Sequence, residues 1–249
     1  MLDFAFLVFG GVLAGIINTL AGNGSVITLS LCTELIGLSP SIANGTNRLG
    51  VLTQSISGAA TLYRNKRLNL EHTWPAMITV IIGALFGIAL AVMIDESSFK
   101  KLYPWFLLFI FIVLLLKPEK WIHEQKDIKA FYPFYIYPVL FIVGAYGGLI
   151  QLGVGVFFLA TMIMLGRHPW KIANNSKIVV VGIFTVIAVA VFGFSGYIHL
   201  PTAVALAFGQ SIGAWIAAKH LTQHKQAQKI SYYILLAVTG YTIIKNFIF

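Results

Sequence analysis

Ionisable side chains are scarce in this chain: only 10% of its 249 residues are charged, and eight of those are acidic. A soluble domain carries about a quarter, so an ordinary water-exposed surface is excluded. The single cysteine, Cys32, rules out an intrachain disulfide, and no C-x-x-C pair or His/Cys ligand spacing is present, so no metal site is expected. A Walker A pattern is also missing, which leaves no P-loop for ATP and no implied cofactor. Met1-Leu2-Asp3 lacks the basic start of a cleaved secretory signal, so the apolar stretch after it reads as a retained helix.

What the chain has instead is apolar length. Hydrophobic residues make up 58% of it, far above soluble norms, and they fall into ten stretches, at 4–21, 25–37, 41–63, 75–94, 102–116, 133–152, 155–165, 170–194, 201–218 and 230–248. Most can cross a bilayer core, which takes roughly 20 residues. The second and seventh reach only about 20 and 16 Å at 1.5 Å per residue, and each follows a glycine-containing break, Ala21 to Ser25 or Gln151 to Gly155. The fold class expected is an all-α polytopic membrane protein with broken or re-entrant helix pairs near the start of each half. Its surroundings are the lipid bilayer, and the net charge of +9 reads as topology, not as a nucleic-acid surface.

The chain also repeats itself. Leu35 to Asn44, followed by Gly45-Thr46-Asn47-Arg48, returns as Met164 to Asn174, followed by Asn175-Ser176-Lys177. Gly15 with Asn18 corresponds to Gly148 with Gln151, and Gly83 and Gly87 recur as Gly209 and Gly213. The division expected is a first repeat at 1–117, a cytoplasmic basic linker at 118–131 and a second repeat at 132–249. Five stretches per half give an odd number of crossings, so the halves should be inverted. Charge placement agrees: alternate loops give one side twelve cations and the other three, with Arg48 and Lys177 inside the membrane. By the positive-inside rule the twelve are cytoplasmic and both termini lie outside.

Ser39-Pro40 reads as N-cap and first helical residue, which puts Arg48 about 12 Å along its helix. Lys177 is equally far beyond Pro169 in an oppositely directed helix, so the two cations should approach the midplane from opposite sides. Asn44, Asn47 and Arg48 share one helical face, continued by Gln54, and Asn174 and Lys177 repeat the spacing. A cation and amide donors in a low-dielectric cavity hold an oxyanion, and intramembrane polar clusters at matching places in two halves mark a transport site. The expected ligands of a small anion are therefore Arg48, Lys177, Asn18, Asn44, Asn47, Gln151, Asn174 and Asn175, with backbone groups at Gly24, Ser25 and Gly155. Glu34, the carboxylate set well inside an apolar stretch, is a weak candidate for proton coupling.

Plainer roles compete with these. The asparagines can be interhelical glue, and Arg48 can pair with Glu34. The glycine pairs can be helix contact points or the face of a homodimer, and Tyr132, Tyr135, Tyr137 and Trp105 fit interfacial belts. An anion channel would use the same cations but needs a continuous polar lining, and Val179 to Val191 is apolar. A membrane enzyme would need a nucleophile with its base, and the sequence offers neither a Ser/His/Asp set nor paired carboxylates at that depth.

The runs Asn18 to Ser25, Asn44-Gly45-Thr46-Asn47, Gly147 to Gly155 and Asn174 to Lys177 resemble the sulfite exporter TauE/SafE family, also called the toluene sulfonate uptake permease family. The resemblance covers nearly the whole chain. It implies secondary export of sulfite, of organosulfonates such as sulfoacetate, or of related sulfur anions across the inner membrane.

Overall fold

The computed structural model describes residues 2–115, 132–222 and 224–248, and the linker expected at 118–131 lies outside them. Among the described residues every element is helical. The first half holds α1 (Leu2–Leu20), α2 (Ser25–Ser30) continued by a π-helical turn (Leu31–Leu35), α3 (Pro40–Arg64), α4 (Trp74–Met93) and α5 (Glu96–Leu115). The second holds α6 (Ile136–Leu149), α7 (Val154–Ala160) with its own π-helical turn (Thr161–Leu165), α8 (Trp170–Phe194), α9 (Leu200–Ile216) extended by a third π-helical turn (Ala217–Leu221), and α10 (Lys225–Ile248).

Most boundaries follow the apolar stretches, and the departures have local causes. Helix α5 starts at Glu96, ahead of its apolar run, because the Ser98 N–H donates to Asp95 Oδ1 at 2.9 Å, an N-cap bond. Ser39 does stand at the N-cap of α3 with Pro40 next, yet its hydroxyl makes no capping bond.

Among the described residues, four helices are long and apolar enough to cross a membrane: Asp3–Leu20, Trp74–Met93, Trp170–Phe194 and Leu200–Leu221. Helix α3 has the length but carries Asn44, Thr46, Asn47, Arg48, Gln54, Ser55 and Thr61, all turned inward and buried. Each of α2 and α7, even with its π-helical turn, reaches only about 17 Å, well short of a roughly 30 Å core.

Two glycine seams join the first half to the second. Helix α4 lies along α6, and a Cβ on Gly83, Gly87, Gly144 or Gly148 would strike the carbonyl of Phe141, Ala145, Val80 or Ala84 respectively. Helix α1 lies along α9 in the same manner, where Gly209, Gly213, Gly11 and Gly15 oppose the carbonyls of Val8, Val12, Leu206 and Gln210. Small residues let helix backbones approach this closely in lipid. The Gly83/Gly87 and Gly209/Gly213 faces are thus packed within the chain, as helix contact points.

Helices α3 and α8 cross the centre antiparallel. Asn175 Nδ2 donates to the Arg67 carbonyl (2.7 Å) at one end, and the His199 N–H donates to Thr46 Oγ1 (3.0 Å) at the other. The Asn175 end also gathers Arg67 Nη1 on the Lys219 carbonyl (3.1 Å), Tyr132 on the His72 carbonyl, and His168 Nε2 against the Tyr132 hydroxyl at 2.7 Å. Arg64, Lys66, Arg67, Arg167, Lys171 and Lys219 therefore share one end of the molecule, as their loop assignment requires. Tyr132 serves there as a tie between loops, not only as a belt residue.

Candidate functional site

The site is built where α1 and α6 stop. Gly22 (φ 85°) and Gly153 (φ 73°) adopt the left-handed conformation that ends each helix and starts the next, a geometry glycine enters without steric penalty. The two turns are buried and meet back to back: a Cβ on Gly22 would lie 2.6 Å from the Gly155 carbonyl carbon, and one on Gly155 2.5 Å from the Gly22 Cα.

A helix end leaves its last carbonyls without intrahelical donors, and inside a membrane no bulk water replaces them. The two buried cations fill that need crosswise. Arg48, from α3, donates Nη1 to the Gly147 carbonyl and Nη2 to the Gly148 carbonyl, both at 2.8 Å, at the end of α6. Lys177, from α8, donates Nζ to the carbonyls of Asn18 (2.8 Å) and Thr19 (3.1 Å) at the end of α1. In both cases the acceptors are the second-last and third-last residues of the helix, and a positive charge sits at the negative end of a helix dipole.

The cations differ in what else they meet. Arg48 is 0% exposed; Nη2 also contacts Asn44 Oδ1 (3.3 Å), and the Phe192 ring lies 5.1 Å from its guanidinium carbon. Lys177 lines a cavity. An ammonium has three protons, and two are committed to carbonyls, which leaves one donor for whatever enters that space.

The cavity measures ≈ 20 Å³, about the room of a single water-sized group. Its polar wall consists of Lys177, Asn18, Thr19, Ser25, Gln54, Ser55 and Gln151, and Val154, Gly155, Ile178 and Val181 supply the rest. Gln151 Nε2 donates to Thr185 Oγ1 (3.1 Å), while Gln54 Oε1 and Gln151 Oε1 have no protein partner. The two ends of an amide are set by the surrounding network, so these glutamines can present N–H groups to an anion.

Of the residues expected from the sequence, Lys177, Asn18, Ser25, Gln151 and Gly155 meet at this cavity. Asn44 instead fastens the end of α6: Nδ2 donates to the Leu149 carbonyl (3.0 Å), and Oδ1 accepts from Arg48 and from the Gln151 N–H (3.4 Å). Asn47 Oδ1 accepts from Thr28 Oγ1 at 2.6 Å and from Gln210 Nε2 at 3.5 Å, so it ties α3 to α2 and α9. Asn174 is buried away from the cavity lining, Asn175 holds Arg67, and Gly24 packs on Ala14 and Asn18 of α1. Glu34 sits exposed on the π-helical turn after α2, and the bonds of Arg48 run to backbone carbonyls and Asn44. Ser55, Thr19, Val154, Ile178 and Val181 were not singled out from the sequence. Ser55 follows Gln54 directly, and Ile178 and Val181 lie one and four residues beyond Lys177, so helical spacing from the two polar anchors was the available signal.

Comparison with known proteins agrees with this architecture. Over 218 residues the chain is 29% identical to a "Probable membrane transporter protein" of Haemophilus influenzae, covering 86% of this chain and 84% of that one. It is 28% identical to "Probable membrane transporter protein ORF9" of a Sinorhizobium species, over 87% and 82% of the two chains. A match to "Probable membrane transporter protein YfcA" of Escherichia coli K12 reaches 24% identity over 86% and 78%. No solved structure matches at a significant level. The model of the sulfite exporter TauE/SafE family matches residues 7–244, nearly the full length, and this multi-pass chain with its crossed helix caps belongs to that family of membrane transporters.

Proposed function

We propose that the chain is a secondary transporter that exports sulfur-containing oxyanions, sulfite or an organosulfonate such as sulfoacetate, by alternating access at the Lys177 cavity. The observation that carries this reading is the Lys177 ammonium: buried, held on two carbonyls, and with its remaining proton available to a polar cavity. Burying a cation at this depth costs about 2.5 to 3.5 kcal/mol on insertion scales, and an oxyanion is the ligand that offsets it. Gln54, Gln151, Ser25, Ser55 and Asn18 add donors suited to sulfonate oxygens. The cavity is smaller than such an anion, so occupancy requires the halves to part. Residues 1–117 and 132–249 act as inverted repeats that rock about the Gly22–Gly155 contact, in an inner membrane with both termini outside. Arg48 and Asn44 keep the α6 end in place while this happens.

The test is flux and binding together. Proteoliposomes loaded with sulfite or sulfoacetate should show saturable efflux, and the purified protein should gain thermal stability with the same anions over a chloride control. Lys177→Gln, Gln54→Leu and Ser55→Ala should each reduce both. Wild-type rates in Lys177→Gln remove the core of the proposal. Unsaturating conductance in a planar bilayer selects an anion channel, and uptake in place of efflux an importer.

A further inference from the structure

A second basic cleft lies away from the transport cavity, at the cation-rich end of the molecule. It measures ≈ 340 Å³ and opens between the last turns of α3 and α9, where Arg64, Thr61 and Asn65 face Trp215 and Lys219. Lys219 Nζ lies 5.0 Å from the centre of the Trp215 ring, which holds the ammonium over an aromatic face. Arg64 and Lys219 are both exposed, and neither is used by the crossed caps.

The walls leading to this cleft are apolar and face outward. On α9, Val204, Phe208 and Trp215 are 55%, 60% and 45% exposed, and their spacing sets them along one helix face. On α3, Ile56 and Tyr63 are 60% and 73% exposed. A hydrophobic track thus runs along the membrane-spanning part of α9 and ends beneath two cations and an indole, at the depth where tryptophan sits with headgroups. A freely soluble anion would need only the cations; the track adds a surface for acyl chains.

We propose that this cleft binds the phosphate of an anionic phospholipid, with Arg64 and Lys219 on the headgroup and the acyl chains along Val204 and Phe208. Basic pockets between membrane helices suit such headgroups. The proposal does not depend on the identity of the transported anion.

The experiment uses the full chain in detergent with added phosphatidylglycerol, phosphatidylcholine or inorganic phosphate, read by thermal stability and by native mass spectrometry of retained lipid. Phosphatidylglycerol should stabilise the wild type and stay bound, and the exposed-site double variant Arg64→Gln/Lys219→Gln should lose affinity roughly thirtyfold, two charges' worth. Phe208→Ser should weaken retention while leaving both cations in place. Equal stabilisation by phosphatidylcholine, or by inorganic phosphate at millimolar concentration, overturns the lipid assignment. Unchanged phosphatidylglycerol binding in the double variant overturns the site.

Discussion

Arg48 and Lys177 occupy matching places in the two halves and perform the same local task, yet their surroundings separate them. Both cap the carbonyls of a helix that stops inside the protein. Arg48 gives Nη1 and Nη2 to two carbonyls and one amide, lies against a ring, leaves Nε buried without a protein partner, and has no exposed surface. Lys177 spends two protons and faces a cavity. One half thus buries its cap completely, while the other leaves its cap facing a cavity, the feature on which the proposed anion site rests. The residue types fit: a planar fork grips two fixed acceptors at once, and a flexible ammonium can share itself with a ligand.

The largest effect that sharpens this contrast is expected from Arg48→Ala. It strands the Gly147 and Gly148 carbonyls without donors, at about 1 to 3 kcal/mol for each orphaned buried group, so the variant should unfold at much lower temperature or fail to accumulate. Arg48→Lys should recover part of this. Next come the seams. Gly148→Ala and Gly15→Ala each push a methyl group into an opposing carbonyl and should destabilise by about 1 to 3 kcal/mol, read as loss of thermal stability. Similar losses at the two seams would show that they carry equal load; a loss at one alone would break the equivalence.

Lys177→Gln ranks below Arg48→Ala in stability, because an amide can still donate to the Asn18 or Thr19 carbonyl. Its distinguishing result is loss of anion-dependent stabilisation in the same thermal assay. If Arg48→Lys loses the anion response while Lys177→Gln keeps it, the roles given to the two cations are reversed.

The smallest effect concerns the loop before α8. Burial, with a lesser contribution from His72, pushes the His168 imidazole down to about 4 from its ordinary 6.5. The folded protein holds it neutral, whereas the unfolded chain protonates it below 6.5. Stability should therefore be unaffected by this group above pH 6.5 and fall as pH drops from 6.5 towards 4. His168→Gln, measured by thermal stability at pH 7.5 and 5, should flatten that slope.

What could be read from the residues alone was the part written in side-chain contrast. Amides and cations stand out against an apolar background, so Asn44, Arg48, Asn174 and Lys177 were visible, as were the breaks at Gly22 and Gly153, because glycine and asparagine punctuate a hydrophobic run. The partners of the cations were not visible. Backbone carbonyls belong to every residue and leave no mark in the sequence, so Arg48 and Lys177 both looked like ligands for one shared anion. The same holds for Asn175, whose acceptor is the Arg67 carbonyl, and for the seams, where Gly83 and Gly87 stand out in the sequence but the backbone they touch does not.

Pairing α1 with α9 and α4 with α6 carries a consequence for synthesis. Synthesis runs from the N-terminal side, and α1 meets its Gly209 and Gly213 partners only after the long intervening stretch, through α8, has been made. At about 5 to 20 residues per second, that wait is roughly 10 to 40 s. During it the Gly11/Gly15 face of α1 lacks the α9 backbone it packs on, and the end of α1 has no Lys177 to receive it. The nascent first half is an unfinished object in the bilayer, and a truncated chain ending before α8 should be a target for membrane quality control.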